Sequence, residues 1–340
     1  MRTVILQHPG NLHVADTPAP PEPGPGEALV RVNRVGICGT DWHAYHGRQP
    51  FFTYPRILGH ELGVTVEHVN DPESTLQPGD RCAVEPYLTC GGTCIACRRG
   101  RTNCCATLRC LGVHTDGGMR EWLVVPARKL HKSATLALDQ LALVEMLGIG
   151  CHAVARAAPI EQGENALVIG AGPIGLSVVA FARSAGARVI VAEVAPARLQ
   201  FCREHLQVEH ALDARDDLLP RLCELTSGEL PTLVFDATGS AVSMARTFDL
   251  VAPGGRVVFV GLVRGSVAFD DPNFHRREIA LLASRNATAG DFRRIIGMLE
   301  RGAIDARPWI THRATCETLI DQVPHWLAPD SGLVKAMLEI

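Results

Sequence analysis

Two rhythms of apolar and polar residues divide the chain. Up to about residue 145 the apolar runs are short and end in turns: 28–32, 64–69, 82–84 and 122–126. Short runs rich in branched side chains, bounded by Gly, Pro and Asp, read as strands. The first of them follows a stiff proline-rich linker at 18–26, and Gln77-Pro78-Gly79-Asp80-Arg81 forms the turn into 82–84. This texture predicts an irregular β-barrel.

Beyond residue 145 strand and helix patterns alternate. Runs at 166–169, 189–192, 233–235, 257–260 and 279–282 read as buried strands, and 174–184 and 244–251 as helices between them. Regular strand-helix alternation predicts a doubly wound parallel sheet. A helix at 291–300 and a last strand at 333–338 return the chain to the first domain. The expected division is therefore 1–147 with 286–340 as one domain and 148–285 as the other, an α/β protein.

Bulk properties narrow the class. The chain has 340 residues, 46% of them hydrophobic and 20% charged, with a formal net charge of −3. No basic stripe suggests nucleic acid. The amino-terminal apolar run is too short for a signal peptide, and no stretch reaches the roughly 18 apolar residues of a membrane span. The expectation is a soluble cytoplasmic protein with reduced thiols. The twelve cysteines then point to metal rather than to disulfides.

Three motifs carry chemistry. Gly170-Ala171-Gly172-Pro173-Ile174-Gly175 follows a strand and opens a helix. Its first glycine permits a tight turn, its second lets backbone approach a pyrophosphate, and its third lets helix pack on strand. Glu193 lies 23 positions after Gly170, near the roughly 20 expected of an acid that binds the adenosine ribose. No basic residue intervenes before Arg198, so NAD is favoured over NADP. Second, Cys90, Cys94, Cys97 and Cys105 crowd one loop, with Cys104 competing for the last place. Four thiolates close a tetrahedral zinc shell, which makes this site structural. Third, Cys38, His60 and a carboxylate, either Glu61 or Glu145, offer the open mixed-ligand shell of a catalytic zinc.

These motifs, in this order, resemble the zinc-dependent medium-chain dehydrogenase/reductase family. The Gly36-Ile37-Cys38-Gly39-Thr40-Asp41-Trp42-His43 turn, Gly59-His60-Glu61, the cysteine loop and the glycine turn carry the likeness along the whole chain. Glu145, and local matches around 49–56, 101–105, 112–118 and 284–288, resemble the sorbitol/polyol branch and its sugar-acid dehydrogenases. One departure is that three residues separate Cys90 from Cys94, where the family has two.

The resemblance implies a GroES-like β-barrel domain joined to a Rossmann domain, assembled as a homodimer or homotetramer. It implies Cys38, His60 and Glu61 as zinc ligands, with Glu145 fourth or exchanging. Zinc would lower the pKa of a substrate hydroxyl, and hydride would pass from a secondary carbon of an L-galactonate-like sugar acid or a polyol to NAD. Thr40 and His43 would relay the proton, and Asp41 would orient His60. Arg285, Asn286, Phe51 and His114, with Trp42, would face substrate. Thr238, Val260, Gly261 and Leu262 would lie along the nicotinamide path. The competing reading is a non-enzymatic nucleotide-binding protein with structural zinc only.

Overall fold

The computed structural model describes every residue except Pro329 and divides into two compact units, Met1–Met146 with Ala287–Ile340, and Leu147–Asn286. The boundary falls inside the helix Val144–Ala157.

The first unit is built on a long strand, Glu27–Ile37, which pairs antiparallel with Glu61–Asn70, with Trp122–Pro126 and with the carboxy-terminal strand Lys335–Glu339. Its alternation buries Ala28, Val30 and Val32, and these pack with Val64, Val66, Leu123, Val125 and Leu338 in one core. The strand Ile310–Thr315 runs parallel to Lys335–Glu339 and completes a seven-stranded sheet with Arg81–Val84 and Leu130–Lys132. A separate three-stranded sheet holds Arg2–His8, Asn11–Asp16 and Arg56–Ile57. The amino-terminal hairpin lies outside the sequence expectation, because its polar positions (Gln7, His8, His13) mask the alternation.

The second unit is a parallel sheet of six strands. In spatial order they are His210–Asp213, Arg188–Glu193, Asn165–Ile169, Leu233–Asp236, Arg256–Phe259 and Ala280–Ala283. Numbered along this unit the order is 3-2-1-4-5-6, the doubly wound arrangement in which ligands bind where the order reverses. The inner strands are apolar on both faces, as a parallel sheet covered by helices requires. His210–Asp213 went unread because it is a half-buried edge strand of mixed polarity. The opposite edge strand, Ala280–Ala283, leaves Leu281 and both alanines exposed.

The first strand turns into the helix Pro173–Ser184 through the glycine motif. Gly170 takes a φ of +92°, and a Cβ placed on Gly175 would lie 1.8 Å from the Gly170 carbonyl oxygen. The helix can approach the strand only because that position is bare. Gly175→Ala is therefore expected to lose stability at the upper end of the roughly 1–3 kcal/mol of an overpacked site. The loss should appear as a lower urea midpoint at an unchanged m-value.

Candidate metal centres and cofactor pocket

Backbone register builds the mixed-ligand centre. The strand Glu27–Ile37 ends at Cys38, and Glu61 begins the next strand opposite Gly36. Cys38, His60 and Glu61 present ligand atoms all within 4.8 Å of one another. His60 and Glu61 are buried, and Cys38 is half-buried. Space for the Glu61 carboxylate depends on Gly36, where a Cβ would stand 2.1 Å from Glu61 Oε2.

Two further side chains fix this geometry. Asp41, in the helix Gly39–Tyr45, accepts the Cys38 N–H at 2.9 Å through Oδ2. Its Oδ1 faces His60 Nδ1 at 3.8 Å, an ion-pair distance rather than a hydrogen bond, so Asp41 anchors the cysteine turn more directly than it orients His60. Lys335 pairs with Glu61 and donates to the Ile37 carbonyl at 3.1 Å from a fully buried position. Nothing in the motif pattern pointed to Lys335; only the pairing of Ala336 with Ile37 brings it there.

The donor set fits zinc, which takes thiolate, imidazole and carboxylate ligands together. Asp41 Oδ1 and His60 Nδ1 are buried and without hydrogen-bond partners. Burial opposes charge on His60, yet Asp41 and the Cys38 thiol overcome it and raise the imidazole well above its usual value. Burial pushes Asp41 up in turn.

Glu145 is buried but is not among the atoms that converge within 4.8 Å; its Oε1 accepts a hydrogen bond from the buried Tyr87 hydroxyl. Thr40 is half-buried, and His43, three positions on in the same helix, is exposed. Phe51 is exposed and stacks on the His114 ring at 6.1 Å. Trp42 packs edge-on against Trp326 in the core. Arg285 and Asn286 belong to the second unit, Arg285 exposed and Asn286 with a φ of +53°.

The four-cysteine loop gathers Cys90, Cys94, Cys97 and Cys105 within 4.8 Å despite its extra residue. Cys105 is buried and belongs to the converging set, while Cys104 is exposed and does not. The Cys90 and Cys97 sulfurs lie 3.7 Å apart, against the edge of roughly 3.8 Å for a tetrahedron with Zn–S of about 2.3 Å. The Cys94 N–H points at Cys90 Sγ and the Cys90 N–H at Cys105 Sγ. Hydrogen bonding from Thr93 and Cys94 lowers the Cys90 thiol to about 5, while burial among its neighbours pushes Cys97 up to about 12.

In the second unit a cavity of about 470 Å³ opens at the sheet's switch point. Gly170, Gly172, Glu193, Arg198 and Thr238 line it. Pro173 and Ile174 begin the helix behind it, and Gly175 closes that helix onto the strand. Glu193 accepts N–H groups from Ala171 at 2.6 Å, Val194 at 2.8 Å and Ala195 at 3.0 Å, so it braces the glycine turn as well as facing the cavity. Arg246, which carried no sequence signal, also lines it. Val260 and Gly261 follow the fifth strand and donate their N–H groups to the Asp236 carbonyl; Leu262 is exposed.

Comparison with known proteins places these features together elsewhere. Residues 24–135 match the alcohol dehydrogenase GroES-like domain, and residues 173–301 the zinc-binding dehydrogenase family. The chain is 40% identical over 338 residues to the L-galactonate-5-dehydrogenase of Escherichia coli (strain K12), covering 99% of this chain and 98% of that one. It is 35% identical to the D-altritol 5-dehydrogenase of Agrobacterium fabrum over 84% of each. The rspB alcohol dehydrogenase of Escherichia coli CFT073, solved with NADH, superposes with a TM-score of 0.91 at 29% identity, covering 100% of this chain and 99% of that one.

Two measurements check this geometry. Lys335→Met should destabilise the metal-free protein by about 3–5 kcal/mol in urea, because Glu61 becomes an unpaired buried charge, and added zinc should recover part of the loss. Cys105→Ser should remove one zinc per chain by elemental analysis, and Cys104→Ser none.

Proposed function

The chain belongs to the zinc-dependent alcohol dehydrogenases of the medium-chain family, and from that premise we propose that it oxidises a secondary hydroxyl of a sugar acid resembling L-galactonate, or of a polyol, with NAD. The observation that carries this reading is the convergence of Cys38, His60 and Glu61 within 4.8 Å in a chain that matches a sugar-acid dehydrogenase from end to end.

Zinc held by Cys38, His60 and Glu61 would supply positive charge that favours loss of the substrate's hydroxyl proton. Thr40 stands at the helix start beside Cys38 and accepts that proton's hydrogen bond. His43 lies on the same helix toward solvent and passes the proton outward. Asp41 keeps Cys38 in place. Zinc held by the four-cysteine loop stabilises the first unit without taking part in chemistry.

Gly170 and Gly172, before the amino terminus of Pro173–Ser184, would hold the pyrophosphate of NAD in the second unit's cavity. A carboxylate has about four acceptor sites. Backbone N–H groups take three at Glu193, which leaves one for a ribose hydroxyl and a negative charge against a 2′-phosphate. Arg198 would serve the adenosine side, and Thr238, Val260, Gly261 and Leu262 the nicotinamide side. Arg285, exposed in the second unit, is the candidate partner for a substrate carboxylate. The exposed apolar edge Ala280–Ala283 supports assembly as a homodimer or homotetramer, since a bare strand edge invites a partner strand. Among the described residues no helix is long and apolar enough to cross a membrane, and twelve cysteines outside any disulfide support a reducing, cytoplasmic setting.

NAD reduction by the purified protein across aldonates and neutral polyols, with and without a chelator, tests the reading. Activity should favour a sugar acid, disappear with chelator and in Cys38→Ser, and be weaker with NADP. Arg285→Ala should raise KM for the acid by roughly tenfold or more, the loss of a charged hydrogen bond, and leave neutral polyols unaffected. No oxidation of either substrate class would sink the proposal.

A further inference from the structure

Two buried carboxylates, Glu61 and Glu145, are candidates for the metal centre, and each has its own buried donor. Glu61 is held by Lys335. Glu145, in the first turn of Val144–Ala157, is held by Tyr87. The two donors act differently. Lys335 belongs to the strand beside Cys38 and leaves Glu61 inside the converging set with Cys38 and His60. The Tyr87 hydroxyl takes one Glu145 oxygen for itself, and Glu145 stays outside that set.

Tyr87 is firmly seated. Its side chain is 2% exposed, and its two-residue strand Tyr87–Leu88 pairs with Arg109–Cys110. Two positions earlier, buried Glu85 receives both Lys129 and His131, which fixes the approach of the chain. A phenol on such a base holds its hydroxyl at one point in space, so the carboxylate it binds is held too.

A catalytic zinc takes about three protein ligands and keeps one position open. Cys38, His60 and Glu61 already supply three. A mobile Glu145 would fill the fourth and exclude the substrate oxygen. We propose that Tyr87 is a positioning residue that keeps Glu145 out of the metal shell and so holds the fourth position open. The inference rests on the reading of Cys38, His60 and Glu61 as a zinc site.

Tyr87→Phe removes one oxygen atom and keeps the ring. With the site loaded with Co²⁺, the variant should show a ligand-field spectrum altered in position or intensity. Zinc loss to a chelator should slow by roughly tenfold, the scale on which partners of metal ligands act. KM should rise while kcat changes little, because substrate must displace Glu145. Adding Glu145→Gln to Tyr87→Phe should return the chelation rate to the wild-type value, which a merely structural defect would not do. A wild-type spectrum and chelation rate in Tyr87→Phe would overturn the proposal. Glu145→Gln alone supplies an independent check should Tyr87→Phe fold poorly. It should lose zinc at the wild-type rate, and a loss roughly tenfold faster would make Glu145 a direct ligand and overturn the proposal. If the wild-type protein shows no Co²⁺ band that Cys38→Ser abolishes, the zinc reading itself fails, an outcome distinct from failure of the Tyr87 inference.

Discussion

The buried pair of Glu61 and Lys335 is the constraint on which the first unit turns. An isolated carboxylate or ammonium at that depth would be costly, and the pair is tolerable because the two charges meet and Lys335 also reaches the Ile37 carbonyl. The contact joins residues 274 positions apart and requires a glycine at 36, where any side chain would occupy the carboxylate's volume. Strand register, the bare glycine and the candidate ligand geometry are thus one arrangement: Cys38 and Glu61 converge because the strands that carry them pair at Gly36.

Much of this was legible in the sequence, for reasons that differ between the units. In the second unit the strands are buried on both faces, so each appears as an unbroken apolar run, and the glycine turn marks where strand meets helix. The edge strand His210–Asp213 shows the limit: half-exposed and polar, it lacks that run. In the first unit the candidate ligands were legible because zinc demands particular residue types. The residues that hold those ligands were not. Lys335 and Tyr87 are ordinary side chains that meet Glu61 and Glu145 only through pairings the folded sheets create, far along the chain from their partners.

Glu193 shows how one residue type can satisfy two demands. The pattern marked it as a contact for a ribose, and it does face the cavity. It also accepts three backbone N–H groups and so holds the glycine turn that shapes the phosphate site. Shape and selectivity in that cavity are coupled through one carboxylate. A neutral replacement chosen to admit a 2′-phosphate would also loosen the turn.

The first unit is interrupted by the second, and its last strand carries Lys335. During synthesis the parallel sheet of residues 147–286 leaves the ribosome whole, able to fold while the strand that pairs with Ile37 is still unmade. Until that strand arrives, Cys38 and His60 emerge beside a Glu61 whose charge has no counter-ion. The interrupted unit can close only after the inserted one has been made, so the contact that seats Glu61 is among the last the chain can form.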